Sequence, residues 1–262
     1  MNKDKTNIDK LKGMDRLLFV MKRLRKDCPW DAAQTHHSLK QYLLEETYEV
    51  LETIDDERWD LLSSELGDIL LQIVFHSAIA DEKGNFQFDD VVDNITEKMI
   101  DRHPHVFGDK KLKSATEVSQ NWEHLKVVSE NRESILSGIP KNSPALLQAQ
   151  RLQEKAATVG FEWDEVESVI EKIDEELDEF KTALQKQDRS SIEHEFGDLL
   201  FSLVNLSRYI NINSEDALRK TNAKFVNRFK HIEKQYQNDP QAMKNAPLDE
   251  LDRHWVDAKK NE

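Results

Sequence analysis

Apolar residues recur every three or four positions along most of this chain, which is the spacing of an amphipathic helix. In the first such segment, Leu11, Met14, Leu18 and Met21 share one helical face. No segment shows the strict alternation that is typical of a strand. The pattern predicts helices over residues 8–25, 38–53, 61–81, 88–100, 145–158, 166–185, 191–211, 216–238 and 248–259, a short helix around Trp122 and Leu125, and a loop over 26–35.

Two prolines divide this helical pattern into halves. Pro140 and Pro144 lie in the stretch SGIPKNSP, and proline disfavours helix at its own position and at the preceding one. We therefore predict an all-α fold built from two tandem helical bundles of antiparallel helix pairs. The predicted bundles cover residues 1–136 and 146–262, and a linker over 137–145 joins them.

One acidic pattern occurs twice, and its two copies are 130 positions apart (175 − 45). The first copy reads EETYE at residues 45–49 and ELGD at 65–68, and the second reads EELDE at 175–179 and EFGD at 195–198. Residues three or four apart share a helix face, and a short connection makes consecutive helices antiparallel neighbours. Carboxylates from the two helices could then face one another and hold Mg²⁺ or Mn²⁺, which prefer oxygen ligands.

The acidic pattern also has simpler explanations. On a chain with 34% charged residues, an acidic cluster is commonly a solvated helix face. Repetition favours a functional site, as do the apolar neighbours of Glu195 and Asp198, because buried carboxylates need partners. A di-iron centre is disfavoured, since no Glu has a His three positions later. Gly67 and Gly197 lie inside the predicted helices, where close approach of a ligand, a backbone or a neighbouring helix would explain them.

Cations and aromatic rings follow the second acidic copy. Lys224 and Arg228 are four apart on one predicted helix, and Trp255 and Lys259 are four apart on the last. Two cations can contact phosphates and an indole can stack on a base, so this set could bind a nucleotide. The alternative is a surface of salt bridges beside a core tryptophan.

The two copies differ one helical turn before the acidic cluster. Lys172 lies four residues before Glu176, whereas Tyr42 occupies the matching position in the first copy. The second copy therefore has an additional candidate for phosphate binding. In the first half, His103 and His105 could bind a metal ion, although turn or packing roles are the more common use of such residues.

Composition restricts the classes of function. The net charge of −14 argues against non-specific nucleic-acid binding, which needs a basic surface. Cys28 is the single cysteine, the first ten residues are polar and charged, and no run of about 18 apolar residues occurs. These features predict a cytoplasmic protein without disulfides, membrane contact, signal peptide or nucleic-acid partner.

As an ordered set, the motifs of this chain resemble the MazG family of nucleoside triphosphate pyrophosphohydrolases, within the all-α NTP pyrophosphatase superfamily. They are CPWD at 28–31, LEETYE at 44–49, ELGD at 65–68, RHPHVF at 102–107, GFEW at 160–163, EFGDLLF at 195–201 and NAKF at 222–225. The resemblance covers nearly the whole chain. It implies Mg²⁺-dependent hydrolysis of nucleoside triphosphates (NTPs) to monophosphate and pyrophosphate, broad base specificity, a homodimer, and a role in clearing abnormal nucleotides or adjusting nucleotide pools.

The same resemblance implies roles for individual residues, with the main site in the C-terminal repeat. The metal ligands there would be Glu176, Glu179, Glu195 and Asp198. The nucleotide contacts would be Lys172, Lys224, Arg228, Trp255 and Lys259. A second metal site would use Glu45, Glu46, Glu49, Glu65 and Asp68. We expect the proton of the attacking water to pass to Glu175 or Glu179, whichever is not fully engaged by metal.

Two alternatives stay open at this point. A different enzyme of the superfamily, such as a phosphoribosyl-ATP or dUTP pyrophosphohydrolase, is disfavoured because those are typically single-repeat chains. A non-catalytic nucleotide sensor or helical interaction module would use the acidic residues as a structural metal site. Turnover of an NTP panel separates these functions, since a sensor binds without turnover and a dedicated enzyme accepts one nucleotide.

Overall fold

The computed structural model describes residues 8–112, 114, 117–118 and 133–261. Within these ranges every regular element is a helix, as the apolar spacing predicts. The chain divides into two compact units, Met1–Leu112 and Lys113–Glu262. The linker over residues 137–145 stays a prediction, and the predicted helix around Trp122 and Leu125 lies outside the described residues. No helix in the described ranges has the length and apolarity needed to cross a bilayer.

The described helices are numbered in chain order. The first unit contains α1 Gly13–Asp27, α2 Pro29–Ala33, α3 Lys40–Asp55, α4 Trp59–Glu82, α5 Phe88–Arg102 and α6 Pro104–Phe107. The second unit contains α7 Ala145–Ala157, α8 Val166–Lys186, α9 Arg189–Tyr209, α10 Ser214–Gln235, α11 Pro240–Asn245 and α12 Leu248–Lys260.

The core of the first unit joins α1, α4 and the start of α3. Its centre consists of Met21, Leu39, Val74, Phe75 and Ile79, all of them buried. Partly buried apolar side chains pack around this centre: Met14, Leu17, Leu18, Tyr42, Leu71, Ala78 and Phe88. Removal of these apolar groups from water is the main force that fixes α4 against α1 and α3.

The second unit is built around α9, which packs against α7, α8 and α10, while α12 packs on α10. Val169, Ala183 and Val204 are buried where α8 and α9 meet their neighbours. Polar groups also enter this core, and Gln153 Nε2 donates a hydrogen bond to the carbonyl oxygen of Phe201 at 2.8 Å. Such a bond offsets the free-energy penalty of burying an amide.

Both acidic patterns lie on helix pairs that are joined by tight turns. Residues 56–58 connect α3 to α4, and residues 187–188 connect α8 to α9. Glu57 (φ 53°) and Gln187 (φ 56°) occupy matching positions and both adopt the left-handed conformation, although neither is glycine. The Asp188 side chain then accepts a hydrogen bond from the Ser190 amide at 3.2 Å and caps α9. The repeat therefore extends from the acidic residues to the turn geometry.

Three short helices were not predicted, and each begins at a proline. They are α2, α6 and α11, which start at Pro29, Pro104 and Pro240. The predicted loop over residues 26–35 is wrong where α2 forms. Proline is compatible with the first helical position, because its missing N–H would have no partner there and its φ angle is already helical. Proline therefore marks helix starts at these three places rather than interruptions.

Candidate functional site

The second acidic group comprises Glu175, Glu176, Glu179, Glu195 and Asp198. Its centre forms where one face of α8 meets α9. Glu176, Glu179 and Glu195 each offer one carboxylate oxygen, and these three oxygens lie within 4.8 Å of one another. Glu176 is buried, with 6% of its surface exposed. Beside the carboxylates, the rings of Phe180 and Phe196 pack at 5.7 Å between centroids and join the two helices.

Lys172 supplies a positive charge to this group from one turn earlier on α8. Its Nζ atom lies 2.9 Å from Glu176 Oε1 and 3.1 Å from Glu175 Oε1. Hydrogen bonds to Glu176 and then to Glu175 raise the pKa of Lys172 above its usual range. The buried carboxylate of Glu176 thus has a partner inside the protein, and Glu175 lies outside the three converging oxygens.

Asp198 forms a second cluster, which includes a histidine that sequence reasoning missed. His194 Nδ1 lies 2.9 Å from Asp198 Oδ2 and 3.9 Å from Glu195 Oε1. One ligand atom from each of these three residues lies within 4.8 Å of the others. Glu195 therefore belongs to both clusters and connects them. The spacing of four between His194 and Asp198 is the helical signal that could have identified the histidine.

The first acidic group comprises Glu45, Glu46, Glu49, Glu65 and Asp68. It repeats the arrangement on α3 and α4, with oxygens of Glu46, Glu49 and Glu65 within 4.8 Å of one another. Burial raises the pKa of Glu46, and the charges of Asp68, Glu49, Glu65 and Glu45 raise it further. The carboxylates of the first group therefore repel one another, and a bound divalent cation would relieve this repulsion.

Two of the residues predicted to contact nucleotide meet where α10 packs on α12. The guanidinium carbon of Arg228 lies 5.3 Å from the centroid of the Trp255 ring, in a cation–π arrangement. The Phe225 ring lies 5.2 Å from the same indole. Lys224 precedes Phe225 and Lys259 follows Trp255 by one turn, and both lysines are exposed. The structure thus assembles an aromatic platform with cations around it.

Two further features of the sequence are the pair His103 and His105 and the helical glycines Gly67 and Gly197. The rings of His103 and His105 are 5.6 Å apart, and His103 Nδ1 lies 2.6 Å from the carbonyl oxygen of Met99. Among the described residues, no set of three converging ligand atoms includes either histidine, and the metal-binding and packing roles of the pair both stay predictions. A Cβ atom added to Gly67 or Gly197 would meet nothing within 4 Å in the described structure. Packing against another helix of the described ranges therefore does not explain these two glycines.

Comparison with known families matches both helix pairs. The MazG nucleotide pyrophosphohydrolase domain matches residues 34–107 and, a second time, residues 164–233. The chain belongs to the MazG family. Each MazG match contains one complete acidic group, so the resemblance seen in the motifs and the prediction of two tandem all-α domains are confirmed.

Full-length relatives agree with this assignment. The nucleoside triphosphate pyrophosphohydrolase/pyrophosphatase MazG of Thermotoga maritima is 46% identical over 249 residues, which cover 94% of this chain and 95% of the relative. The nucleoside triphosphate pyrophosphohydrolase of Escherichia coli is 40% identical over 257 residues, covering 95% and 98%. The Bacillus subtilis protein YabN is 44% identical over 248 residues, which cover 93% of this chain and 51% of that protein.

The second MazG match includes Lys172, Lys224 and Arg228 but ends at residue 233. Trp255 and Lys259 lie beyond it, on α12. The aromatic platform is therefore assembled from the MazG domain and from a helix that follows the matched residues.

Proposed function

We propose that this protein hydrolyses nucleoside triphosphates to nucleoside monophosphate and pyrophosphate, with the main site at the second acidic group. The observation that carries this proposal is the convergence of Glu176, Glu179 and Glu195 beside Lys172. Carboxylate oxygens of the kind that ligate divalent cations thus lie next to an ammonium group that could bind phosphate, which supports the proposal. The names of the full-length relatives support the same reaction.

The chemistry of the donor set fits Mg²⁺, with Mn²⁺ as a substitute. Carboxylate oxygens are the ligands that these ions prefer, and Glu176, Glu179, Glu195 and Asp198 would hold them. When bound, such a cation would polarise phosphate oxygens and lower the pKa of the attacking water.

The protein's own residues would then orient the triphosphate and accept a proton. In the structure the ammonium group of Lys172 is paired with Glu175 and Glu176. A cation that neutralises Glu176 would weaken that pairing and allow Lys172 to contact a phosphate oxygen instead. Glu175 lies outside the converging oxygens, which makes it available to accept the proton of the attacking water. Glu179, the other candidate base, is one of the converging carboxylates.

Broad base specificity is supported by the aromatic platform of Phe225 and Trp255. Stacking on an aromatic face tolerates every base, because each base has a π-face. Lys224, Arg228 and Lys259 would contact the phosphates around this platform. Such a site would clear abnormal nucleotides or adjust the nucleotide pool, and we place the activity in the cytoplasm, where that pool is used.

A homodimer is supported by apolar surface on α9. Phe196, Leu200 and Leu203 are exposed at helical spacing, and a Cβ atom added to Gly197 between them would meet nothing within 4 Å. Exposed apolar patches of this kind commonly mark association surfaces. A second copy of the chain would cover this face next to Glu195 and Asp198.

The test compares matched substitutions in the two acidic groups. Asp198→Asn and Glu179→Gln should each lower pyrophosphate release from an NTP panel with Mg²⁺ by about 100-fold or more, because each removes a charge that holds the cation. The matched variants Asp68→Asn and Glu49→Gln should retain most of the activity. Circular dichroism and thermal unfolding of each variant verify the fold.

The outcomes separate the alternatives. Wild-type turnover in a folded Asp198→Asn variant would overturn the assignment to the second group. Nucleotide binding without turnover in the wild-type protein would identify a sensor, and turnover of a single nucleotide would identify a dedicated enzyme.

A further inference from the structure

His194 is the one histidine that meets converging acidic residues in the described part of the chain. It lies on α9 directly before Glu195, with 75% of the side chain exposed. Its Nδ1 atom is 2.9 Å from Asp198 Oδ2 and 3.9 Å from Glu195 Oε1. These are the two carboxylates of the α9 motif, so the imidazole belongs to the proposed metal centre by position.

These distances suit coordination of a single ion. Two ligand atoms with bonds of about 2.1 Å stand roughly 3.0 Å apart when they are at right angles and about 4.2 Å apart when they are opposite. The distance from His194 to Asp198, which is also that of an i, i+4 ion pair, is compatible with the first value, and the distance to Glu195 lies between the two. Small rotations of exposed side chains would therefore place His194, Glu195 and Asp198 around one cation.

The first acidic group lacks this feature. Ser64 occupies the position that matches His194, and the converging ligand atoms there are the carboxylates of Glu46, Glu49 and Glu65. The same backbone arrangement thus carries an all-oxygen set in the first unit and a mixed oxygen and nitrogen set in the second.

Nitrogen ligation changes which metal ion is preferred. Mg²⁺ is a hard ion that favours oxygen, whereas imidazole suits first-row transition ions such as Zn²⁺, Fe²⁺ and Ni²⁺, and Mn²⁺ is the weakest binder in that series. We propose that His194 ligates the cation at the second acidic group and raises the affinity of this centre for Mn²⁺ relative to Mg²⁺, in comparison with the first group, which stays an oxygen site. This inference rests on the proposed function, because it assumes that the second group holds a cation.

The neutral imidazole can fill this role because it has two distinct nitrogens. In the structure Nδ1 is placed to donate its proton to Asp198 Oδ2 at 2.9 Å. If the proton moves to Nε2, the lone pair of Nδ1 and Asp198 Oδ2 could bind the same ion. The contact between His194 and Asp198 in the structure would then be replaced by two bonds to the cation. Glu195 would connect this ion to the cluster of Glu176 and Glu179.

A spectroscopic experiment tests the inference without relying on activity. Full-length protein carrying Glu46→Gln and Glu49→Gln in the first group is loaded with Mn²⁺, so that the second group dominates binding. Pulsed electron paramagnetic resonance should then detect ¹⁴N coupling from a ligated imidazole. His194→Ser, which introduces the residue found in the first unit, should abolish that coupling.

Affinity gives a second readout. In the same background, His194→Ser should weaken Mn²⁺ binding about tenfold or more and leave Mg²⁺ binding nearly unchanged, so the preference for Mn²⁺ falls. The reciprocal change, Ser64→His in an otherwise wild-type first group, should add a nitrogen-coupled Mn²⁺ signal. Thermal unfolding curves check that each variant is folded.

The possible failures are distinguishable. If Mn²⁺ binds without histidine coupling, or if His194→Ser lowers both affinities equally, the role of His194 is wrong and the proposed function stands. If neither Mn²⁺ nor Mg²⁺ binds the second group and NTPs are not hydrolysed, the proposed function itself fails.

Discussion

The two acidic groups share carboxylate spacing, helix pairing and turn geometry, yet the electrostatic surroundings of Glu46 and Glu176 differ. In the second group, Lys172 forms ion pairs with Glu175 and Glu176 from one turn away. In the first group, burial and neighbouring carboxylates raise the pKa of Glu46. The two groups differ at the residue four positions before Glu176 and Glu46, which is a lysine that pairs with carboxylates in the second group and a tyrosine in the first.

Packing explains why the first unit has no lysine at this position. Tyr42 occupies it and packs against the buried core of the first unit. Its ring also meets Trp30 edge-on, with 6.1 Å between the centroids. The first unit therefore uses this position for apolar contact, whereas the second uses the matching position for charge.

The largest expected effect is that of Mg²⁺ on stability. An ion that binds the folded state at 100 times its dissociation constant adds about 2.7 kcal/mol to the free energy of unfolding. The free energy of unfolding should rise more for the first unit than for the second. In the first unit Mg²⁺ relieves the repulsion at Glu46, whereas in the second unit it must compete with Lys172 for Glu176. Hydrogen–deuterium exchange of peptides from each unit, measured in chelator and in Mg²⁺, reports the two gains separately.

Salt provides the control for this measurement, since NaCl also screens repulsion. At equal ionic strength NaCl should protect both units less than Mg²⁺ does. If NaCl protects both units from exchange as well as Mg²⁺ does, or if Mg²⁺ protects the second unit more than the first, the proposed electrostatic difference between the two groups is wrong.

Removal of the lysine should have the next largest effect. Lys172→Met leaves the buried carboxylate of Glu176 without its ion pair and should lower the stability of the second unit by about 1–2 kcal/mol in the absence of divalent ions. This value is below that of a fully buried pair, because about a third of the Lys172 side chain is exposed. Chemical denaturation followed by tryptophan fluorescence and by exchange in α8 measures the change.

Lys181→Met is the matched control on the same helix. Lys181 pairs with Asp178 at 2.8 Å, but both side chains are more than half exposed, so its loss should change stability by less than about 0.5 kcal/mol. If the two variants lose equal stability, Lys172 has no special role at the second group.

Sequence periodicity predicted the long helices and both acidic groups, because amphipathic spacing and helical i, i+3 and i, i+4 positions are local properties. It missed α2, α6 and α11, since helices of four to six residues are too short to show an apolar period and the proline at the start of each was not used as a signal. It also missed His194, whose role depends on the direction of one side chain relative to Asp198. The surroundings of Gly67 and Gly197 could not be predicted either, because they depend on which faces the tertiary packing leaves open.

The smallest expected effect comes from neutralising the carboxylate whose pKa is raised. Glu46 binds its proton more tightly in the folded than in the unfolded state, so the stability of the first unit should fall as pH rises from the ordinary Glu pKa through the raised one. In metal-free buffer, Glu46→Gln should therefore stabilise the first unit by about 0.5 kcal/mol at pH values above the raised pKa of Glu46. At pH values below the ordinary Glu pKa the substitution should leave the stability unchanged. Thermal unfolding over a pH series measures this. Glu52→Gln, an exposed change on the same helix outside the group, should not reproduce the pH dependence, and a Glu46→Gln variant less stable than wild type at neutral pH would show that repulsion does not govern the first group.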